Sequence, residues 1–186
     1  MPDTSERLLT IEEFIANYPP PGDPRRWQLV QGRAVPMNPT MRRHRVRQLA
    51  FRDALKSRLS PPCITELDAC IRPLVRRKPN SYWSADVATS CAPVGDGTDT
   101  PDPVLLAEFV SDNPGEDRKA KLSDYRDLPT VEVYLLFDQL PRVEIHERQA
   151  DGSWPDKPRI VERMDGVIDL RCHGGLSIPL SEIYVV

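Results

Sequence analysis

The sequence predicts an α/β (α+β) protein in which helices flank a mixed β-sheet, and three observations lead to this fold class. Two short, almost wholly apolar runs, residues 104–110 and 130–138, are typical of strands buried on both faces of a sheet. An amphipathic segment, residues 41–59, repeats apolar side chains such as Leu49, Ala54 and Leu55 at helical intervals. A second helix is predicted between the two apolar strands, at residues 116–127. This order of helices and strands predicts one mixed sheet covered by helices.

The amino-terminal part of the chain is expected to add a short helix and a hairpin. Thr10, followed three residues later by Glu13, has the pattern of a capping box, so a helix should begin there and end before Pro19. Residues 27–37 have the pattern of a hairpin that turns at Gln31-Gly32. Further strands are predicted at residues 63–72, 82–90, 142–148 and 159–162, with a last helical turn at residues 181–186. We interpret residues 1–186 as a single domain, since this length suits one substantial core.

Composition and the pattern of apolar residues argue against a membrane-spanning or secreted protein. Hydrophobic residues make up 39% and charged residues 28% of the chain, as in globular proteins that fold in water. No apolar run is long enough to span a bilayer, and the first residues do not resemble a secretory signal, so we expect a cytoplasmic protein with no membrane partner. The four cysteines are scattered without a CxxC pair and are interpreted as core or incidental thiols. They are Cys63, Cys70, Cys91 and Cys172. His146 and His173 have no partners at ligand spacing and are set aside.

The positive charges are clustered, although the net charge is −3. Such clusters can neutralise nucleic-acid phosphates, and they can equally be the solvated face of a helix. The residues considered as nucleic-acid-binding are Arg42, Arg43, Arg45 and Arg47 in the predicted helix, and Arg76, Arg77 and Lys78 beyond it.

Three residues are candidates for catalysis. Glu108 interrupts an apolar strand, where an unpaired carboxylate is unfavourable, so it needs a cation, a metal ion or hydrogen-bond donors. Asp86 lies within another predicted strand, and two carboxylates on neighbouring strands can share a hard cation such as Mg²⁺. Lys121 follows in the next helix, on the same face as Tyr125, and could orient water or stabilise charge on a phosphate. A structural ion pair would explain Glu108 equally well, and Lys121 could be an ordinary solvated lysine.

The order of several short motifs resembles the Uma-type restriction endonucleases, within the PD-(D/E)XK nuclease superfamily. The resemblance spans about residues 9–183. Its blocks are the hairpin WQLVQGR at residues 27–33, the sequence NPT before His44, the ADV around Asp86, the AEFVS around Glu108, Lys121 with Tyr125, and VEVYLLFD at residues 131–138.

The resemblance implies a restriction-endonuclease-like fold that binds Mg²⁺ or Mn²⁺ and hydrolyses phosphodiester bonds in DNA. Asp86 and Glu108 would bind the metal ion, with the backbone carbonyl of Phe109 as a third ligand, and Lys121 would complete the catalytic set. Gln28, His44 and Tyr125 are auxiliary candidates. The chain departs from the family pattern at Gln28, where the hairpin usually carries an acid.

Two functions therefore follow as expectations from the sequence. The first is a metal-dependent DNA endonuclease. We expect it to act as a homodimer, by analogy with nucleases that cut both strands. The second is a catalytically degenerate nuclease-fold protein that binds nucleic acid or a partner protein, which the altered hairpin favours. Retention of metal binding would distinguish them, because a binding module has no need of the metal ion.

Overall fold

A six-stranded mixed sheet with helices on both faces organises the chain. The computed structural model describes residues 7–37, 39, 41–74, 80–110 and 117–185. The elements of the first half are α1 (Ile11–Asn17), β1 (Trp27–Val30), β2 (Arg33–Pro36), α2 (Arg42–Lys56), β3 (Ile64–Ile71), β4 (Trp83–Ser90) and β5 (Pro103–Phe109). Those of the second half are α3 (Asp117–Arg126), β6 (Val133–Phe137), β7 (Arg142–Glu147), β8 (Arg159–Glu162), β9 (Val167–Leu170), β10 (Leu176–Pro179) and α4 (Leu180–Ile183). The predicted fold class, a mixed sheet flanked by helices, is confirmed.

The strand order follows the chain, β3-β4-β5-β6-β7-β8. Neighbouring strands are antiparallel except β5 and β6, which are parallel. A parallel pair needs a crossover connection, and α3 lies in that connection. Because α3 returns the chain across the sheet at this point, its side chains can reach residues of β4 and β5.

Local sequence explains the amino-terminal elements. The Thr10 hydroxyl accepts a hydrogen bond from the Glu13 backbone N–H, and the Glu13 carboxylate accepts one from the Thr10 N–H. The hairpin of β1 and β2 turns at Gln31 and Gly32, whose φ angles are 48° and 79°. Two successive positive φ angles match the twist of a two-residue hairpin, as the sequence predicted.

The core has a layer on each face of the sheet. Phe51 and Leu55 of α2 pack with Phe109 and Phe137 on one side, where the two strand phenylalanines stack with ring centroids 4.5 Å apart. On the other side Tyr125 of α3 packs against Trp83, Leu106 and Tyr134. Fully buried aromatic and aliphatic side chains supply most of the free energy of folding, so these layers fix both helices on the sheet.

The buried face of α2 agrees with the prediction at Ala54 and Leu55 but differs from it in the first half of the helix. Leu49 is 41% exposed, whereas Arg47 and Gln48 are buried beside Phe51. The Arg47 guanidinium lies over the ring of Tyr184, 4.6 Å from its centroid, so an aromatic partner and the aliphatic stem make burial of this arginine tolerable. Arg47 is therefore not on the exposed basic face that the sequence predicted for it.

The interpretation of all four cysteines as free thiols is wrong. Cys63 and Cys91 form a disulfide, while Cys70 and Cys172 are free. Cys63 comes just before β3 and Cys91 just after β4, and the register pairs the adjacent residues Ile64 and Ser90. The two cysteines therefore meet across the end of an antiparallel pair, although 28 positions separate them in sequence.

A small second sheet, β9 with β10, was not predicted. Ile168, Leu170, Leu176 and Ile178 alternate with exposed residues and join the core layer under α2. Each strand has only four residues, and the turn of Cys172–Gly174 separates them, so the alternation was too short to detect. Within the described ranges, no helix combines the length and apolar character needed to cross a membrane.

Candidate active site

Asp86 and Glu108 lie on adjacent strands, where the ladder between β4 and β5 ends. Val87 pairs with Ala107, and Asp86 and Glu108 are the next residues on the two strands beyond that pair. Beyond that pair, the Phe109 backbone N–H donates to Oδ2 of Asp86 at 2.7 Å. In a regular ladder a backbone carbonyl would accept this hydrogen bond, whereas here the Asp86 carboxylate accepts it. The bond fixes Asp86 next to Phe109, the residue that follows Glu108.

Glu108 is held by two donors from α3. Its Oε1 accepts hydrogen bonds from Nζ of Lys121 at 3.0 Å and from the hydroxyl of Tyr125 at 3.2 Å. The side chains of Glu108 and Lys121 are only 13% and 10% exposed. Burial raises the pKa of Glu108 from 4.5 to about 7, and the nearby Asp86 carboxylate raises it too, while Lys121 opposes both effects. Glu108 would therefore gain from further positive charge close to it.

Lys121 has a second protein partner. Its ammonium group also donates to the Ser84 carbonyl oxygen at 3.0 Å and lies 5.8 Å from the centroid of the Trp83 ring. The Trp83 indole N–H in turn donates to Oδ2 of Asp124 at 2.8 Å, which fastens α3 to β4. An ammonium group has three N–H donors, and bonds to described residues occupy two of them. The third has no partner in the described part of the chain and can donate to water or a phosphate oxygen.

His44 reaches the same site from α2. Its Nε2 lies 3.2 Å from Oδ2 of Asp86, and its ring lies against Phe109 with centroids 5.8 Å apart. The His44 side chain is 11% exposed. Asp86 thus contacts a histidine from the helix on one face of the sheet, while Glu108 contacts a lysine from the helix on the other face.

Two auxiliary candidates occupy different positions. Tyr125 is fully buried, and its hydroxyl contacts Glu108 directly. Burial raises the pKa of the Tyr125 hydroxyl well above its usual value, so it remains a donor at neutral pH. Gln28 is also buried, on β1, and that strand forms an isolated bridge from Leu29 to Tyr82, the residue just before β4.

The predicted nucleic-acid-binding residues divide into three groups. Arg42, Arg43 and Arg45 are exposed in the first turns of α2, on either side of His44, and form no ion pair with another described residue. Arg47 is buried against Tyr184. Arg76, Arg77 and Lys78 lie outside the described residues, as do Asn38, Thr40 and Ser111 of the sequence motifs.

The residue pattern alone did not predict the contact between His44 and Asp86. The signal was present, since His44, Gln48 and Phe51 follow at intervals of four and three and are the buried or half-buried side of α2. The apolar residues Leu49 and Ala50 pointed to a different face. A histidine in a run of arginines gave no local indication that it faced the sheet.

Comparison with known proteins identifies a matching family and a similar fold. The sequence model of the Uma2 family, described as putative restriction endonucleases, matches residues 11–181. Among solved structures, the fold is similar to the crystal structure of a putative nuclease of the DUF820 family from Anabaena variabilis, with a TM-score of 0.71 and 12% sequence identity. The alignment covers 95% of this chain and 98% of that one. No curated protein matches the chain.

Proposed function

Because the chain belongs to the Uma2 family of putative restriction endonucleases, we propose that it is a metal-dependent nuclease that hydrolyses phosphodiester bonds in DNA. The observation that carries the proposal is the group formed by Asp86, Glu108 and Lys121. Two carboxylates and one ammonium group converge from β4, β5 and α3 on a little-exposed site. Groups of this kind are typical of phosphodiester hydrolysis, which needs a cation, activated water and a positive charge near the phosphate.

The donor atoms fit a hard divalent cation. Asp86 and Glu108 offer carboxylate oxygens, which Mg²⁺ and Mn²⁺ prefer over nitrogen or sulfur ligands. The raised pKa of Glu108 supports this fit, since additional positive charge would stabilise the ionised carboxylate. The Phe109 carbonyl follows Glu108 directly and is proposed as a third oxygen ligand. Mg²⁺ or Mn²⁺, when bound, would polarise the phosphate and lower the pKa of a water molecule.

The other side chains hold and complete the site. Lys121 keeps Glu108 oriented through its 3.0 Å bond, and its remaining N–H would donate to the attacking water or to a phosphate oxygen. Tyr125 donates to the same carboxylate oxygen and thereby limits its rotation. His44 lies 3.2 Å from Asp86, where it can hold that carboxylate in place or take up a proton from water. Gln28 is proposed as an auxiliary residue only.

The basic residues near His44 support DNA as the substrate. Arg42, Arg43 and Arg45 extend from the helix end that carries His44, so phosphates bound there would lie close to the carboxylates. Such contacts position the duplex and do not read its sequence. We further propose a homodimer, by analogy with nucleases that cut both strands, which light scattering of the purified protein would test.

The test is cleavage of supercoiled plasmid with Mg²⁺, with Mn²⁺ and with a chelator. We expect metal-dependent nicking or linearisation by the wild type and a loss of about a hundredfold or more in Glu108→Gln. Glu144→Gln serves as the matched control, because Glu144 is a glutamate of the same sheet that pairs with Arg142. Cleavage by the wild type that persists in the chelator, or in Glu108→Gln, would exclude the proposed chemistry.

A second candidate function is a nuclease fold without catalysis that binds nucleic acid or a protein. Two observations favour it: the hairpin carries Gln28 where the family resemblance implies an acid, and Glu108 already has a protein partner in Lys121, 3.0 Å away. A folded wild type that cuts no DNA or RNA substrate and binds no Mn²⁺, yet retains affinity for DNA, would support this alternative.

A further inference from the structure

Three metal-ligating side chains meet at the far end of β4 from the candidate active site. Within the part of the chain that the structure describes, Cys63, Cys91 and His173 bring a ligand atom each to within 4.8 Å of the others. All three residues are half-buried. Cys63 and Cys91 flank the paired ends of β3 and β4, and His173 arrives from the turn between β9 and β10. Neither the proposed nuclease chemistry nor the family assignment involves this cluster.

The His173 ring is oriented for ligation. Its Nδ1 lies 3.6 Å from Sγ of Cys91, and its Nε2 lies 2.7 Å from Oγ1 of Thr89. When Nε2 carries the proton and donates it to Thr89, the lone pair of Nδ1 faces the sulfur. Histidine ligands in metal sites characteristically donate their second N–H to such a partner, which fixes the ring.

The backbone around His173 is held in an unusual conformation. His173, Gly174 and Gly175 have successive φ angles of 54°, 78° and 107°. A non-glycine residue in the left-handed region is uncommon, and such residues cluster at functional sites where the surroundings maintain them. Thr89 is itself fixed, because its Oγ1 also accepts a hydrogen bond from the Leu105 backbone N–H at 3.2 Å.

The distances fit a tetrahedral zinc site. Bonds of about 2.3 Å to sulfur and about 2.0 Å to nitrogen place a sulfur and a nitrogen ligand about 3.6 Å apart at tetrahedral angles. The Nδ1 to Sγ distance is 3.6 Å. The Cα atoms of Cys63 and Cys91 are 3.9 Å apart, so the two thiols would remain adjacent once their bond is reduced. The sulfurs then need only rotate apart to about 3.8 Å.

We propose that Cys63, Cys91 and His173 form a redox-controlled site for a thiophilic divalent cation, with Zn²⁺ the best fit. While the disulfide is intact, neither sulfur is a thiolate and no such cation binds. A dithiol reductant supplies two electrons and two protons to the Cys63–Cys91 bond and is itself oxidised to a disulfide. Cation binding then releases the two thiol protons, and Nδ1 of His173 becomes the third ligand, leaving one position for water.

This site is separate from the carboxylate site in both place and chemistry. Asp86 lies within β4 and Cys91 follows the end of that strand, five positions later, which is about 16 Å of extended chain. Thiolate and imidazole ligands select Zn²⁺, whereas carboxylates select Mg²⁺ or Mn²⁺. Either the disulfide or the cation would join the ends of β3 and β4, so these two strands would stay linked in both redox states.

The test uses the full chain and Co²⁺ as a spectroscopic replacement for Zn²⁺. The protein is oxidised, or reduced with a phosphine that is then removed, before Co²⁺ is titrated. We expect the reduced wild type alone to bind one equivalent with thiolate-to-cobalt charge-transfer absorption. Cys63→Ser should lose about half of that absorption, and His173→Ala should bind at least about tenfold more weakly. Cys70→Ser, the matched cysteine control, should behave as the wild type does.

A second readout does not depend on the folding of variants. Zn²⁺ added to the reduced wild type should slow alkylation of Cys63 and Cys91 at least about tenfold, measured by mass spectrometry of peptides, without protecting Cys70. Absence of charge-transfer absorption from the reduced wild type would overturn the proposal. So would absorption that Cys63→Ser and His173→Ala leave unchanged, or equal alkylation with and without Zn²⁺.

Discussion

Replacing Glu108 by glutamine should stabilise the metal-free protein at neutral and alkaline pH while it removes the proposed function. The wild-type carboxyl group has its pKa raised from 4.5 to about 7, although Lys121 lies 3.0 Å away. The raised pKa means that the folded protein prefers the neutral acid to the carboxylate, with the attraction of Lys121 already included. Glutamine resembles that neutral acid in shape and hydrogen bonding, so Glu108→Gln removes the cost of ionisation.

The magnitude and its pH dependence follow from linkage. The difference between 4.5 and about 7 corresponds to about 3 kcal/mol, at about 1.4 kcal/mol for each pH unit. Because the folded-state pKa is raised, the contribution of Glu108 to stability is fully present below the unfolded value of 4.5 and is lost as pH rises to about 7. Glu108→Gln should therefore exceed the wild type by about 3 kcal/mol at about pH 8, and by about 1 kcal/mol or less at about pH 5.

Urea unfolding in the presence of a chelator measures these differences, and Glu144→Gln controls for the chemical change itself. The side chain of Glu144 is 28% exposed and pairs with Arg142 on β7 of the same sheet. A variant that is less stable than the wild type at about pH 8, or one whose difference from the wild type is the same at both pH values, would refute the reasoning. A less stable variant would show that the Glu108–Lys121 ion pair stabilises the fold, which would favour the second candidate function.

Three further predictions concern other parts of the molecule. Tyr125→Phe removes the hydrogen bond that lowers the pKa of Glu108, so the acidic limb of the activity–pH profile should move to higher pH; an unmoved limb would contradict the role of Tyr125. Arg43→Ala with Arg45→Ala should weaken DNA binding and reduce the slope of log affinity against log salt by about 2, whereas Arg47→Ala, which alters a buried side chain, should leave the slope unchanged. An equal salt dependence of DNA affinity in the double variant and in Arg47→Ala would show that DNA binds at another surface. Reduction of the Cys63–Cys91 bond in a chelator should lower the free energy of unfolding by about 3 to 4 kcal/mol, because it frees a loop with a sequence separation of 28 in the unfolded chain. Urea unfolding measures this difference, and a change below about 1 kcal/mol would show that the bond constrains the unfolded chain little.

The parts of the fold that sequence predicted are those with long or repeated local signals. The apolar runs of β5 and β6 and the capping box of α1 depend on neighbouring residues, so they could be identified without tertiary information. The hairpin turn at Gln31 and Gly32 is equally local. The short strands β9 and β10 have too few residues for their alternation to be distinct, and only packing against the core reveals them.

The candidate site shows the same limit. An acidic residue in an apolar strand predicted that Glu108 would need a partner, and the helix after β5 supplied Lys121 and Tyr125. The contact between His44 and Asp86 depends on which face of α2 meets the sheet, and that face is set by Phe51 and by the stacking of Arg47 on Tyr184. The meeting of Cys63, Cys91 and His173 depends on strand register and on a turn between two unpredicted strands. Neither can be read from local sequence.

The most direct test of the central claim is a titration of Mn²⁺ into the wild type and into Glu108→Gln, with free Mn²⁺ measured by electron paramagnetic resonance. Asp86 and Glu108 are proposed to share one cation, so the wild type should bind one Mn²⁺ per chain at this site, and Glu108→Gln should bind it at least about tenfold more weakly. The wild-type affinity should increase as pH rises towards about 7, where Glu108 ionises. A wild type that binds no Mn²⁺, or a variant that binds it equally well, would contradict the account.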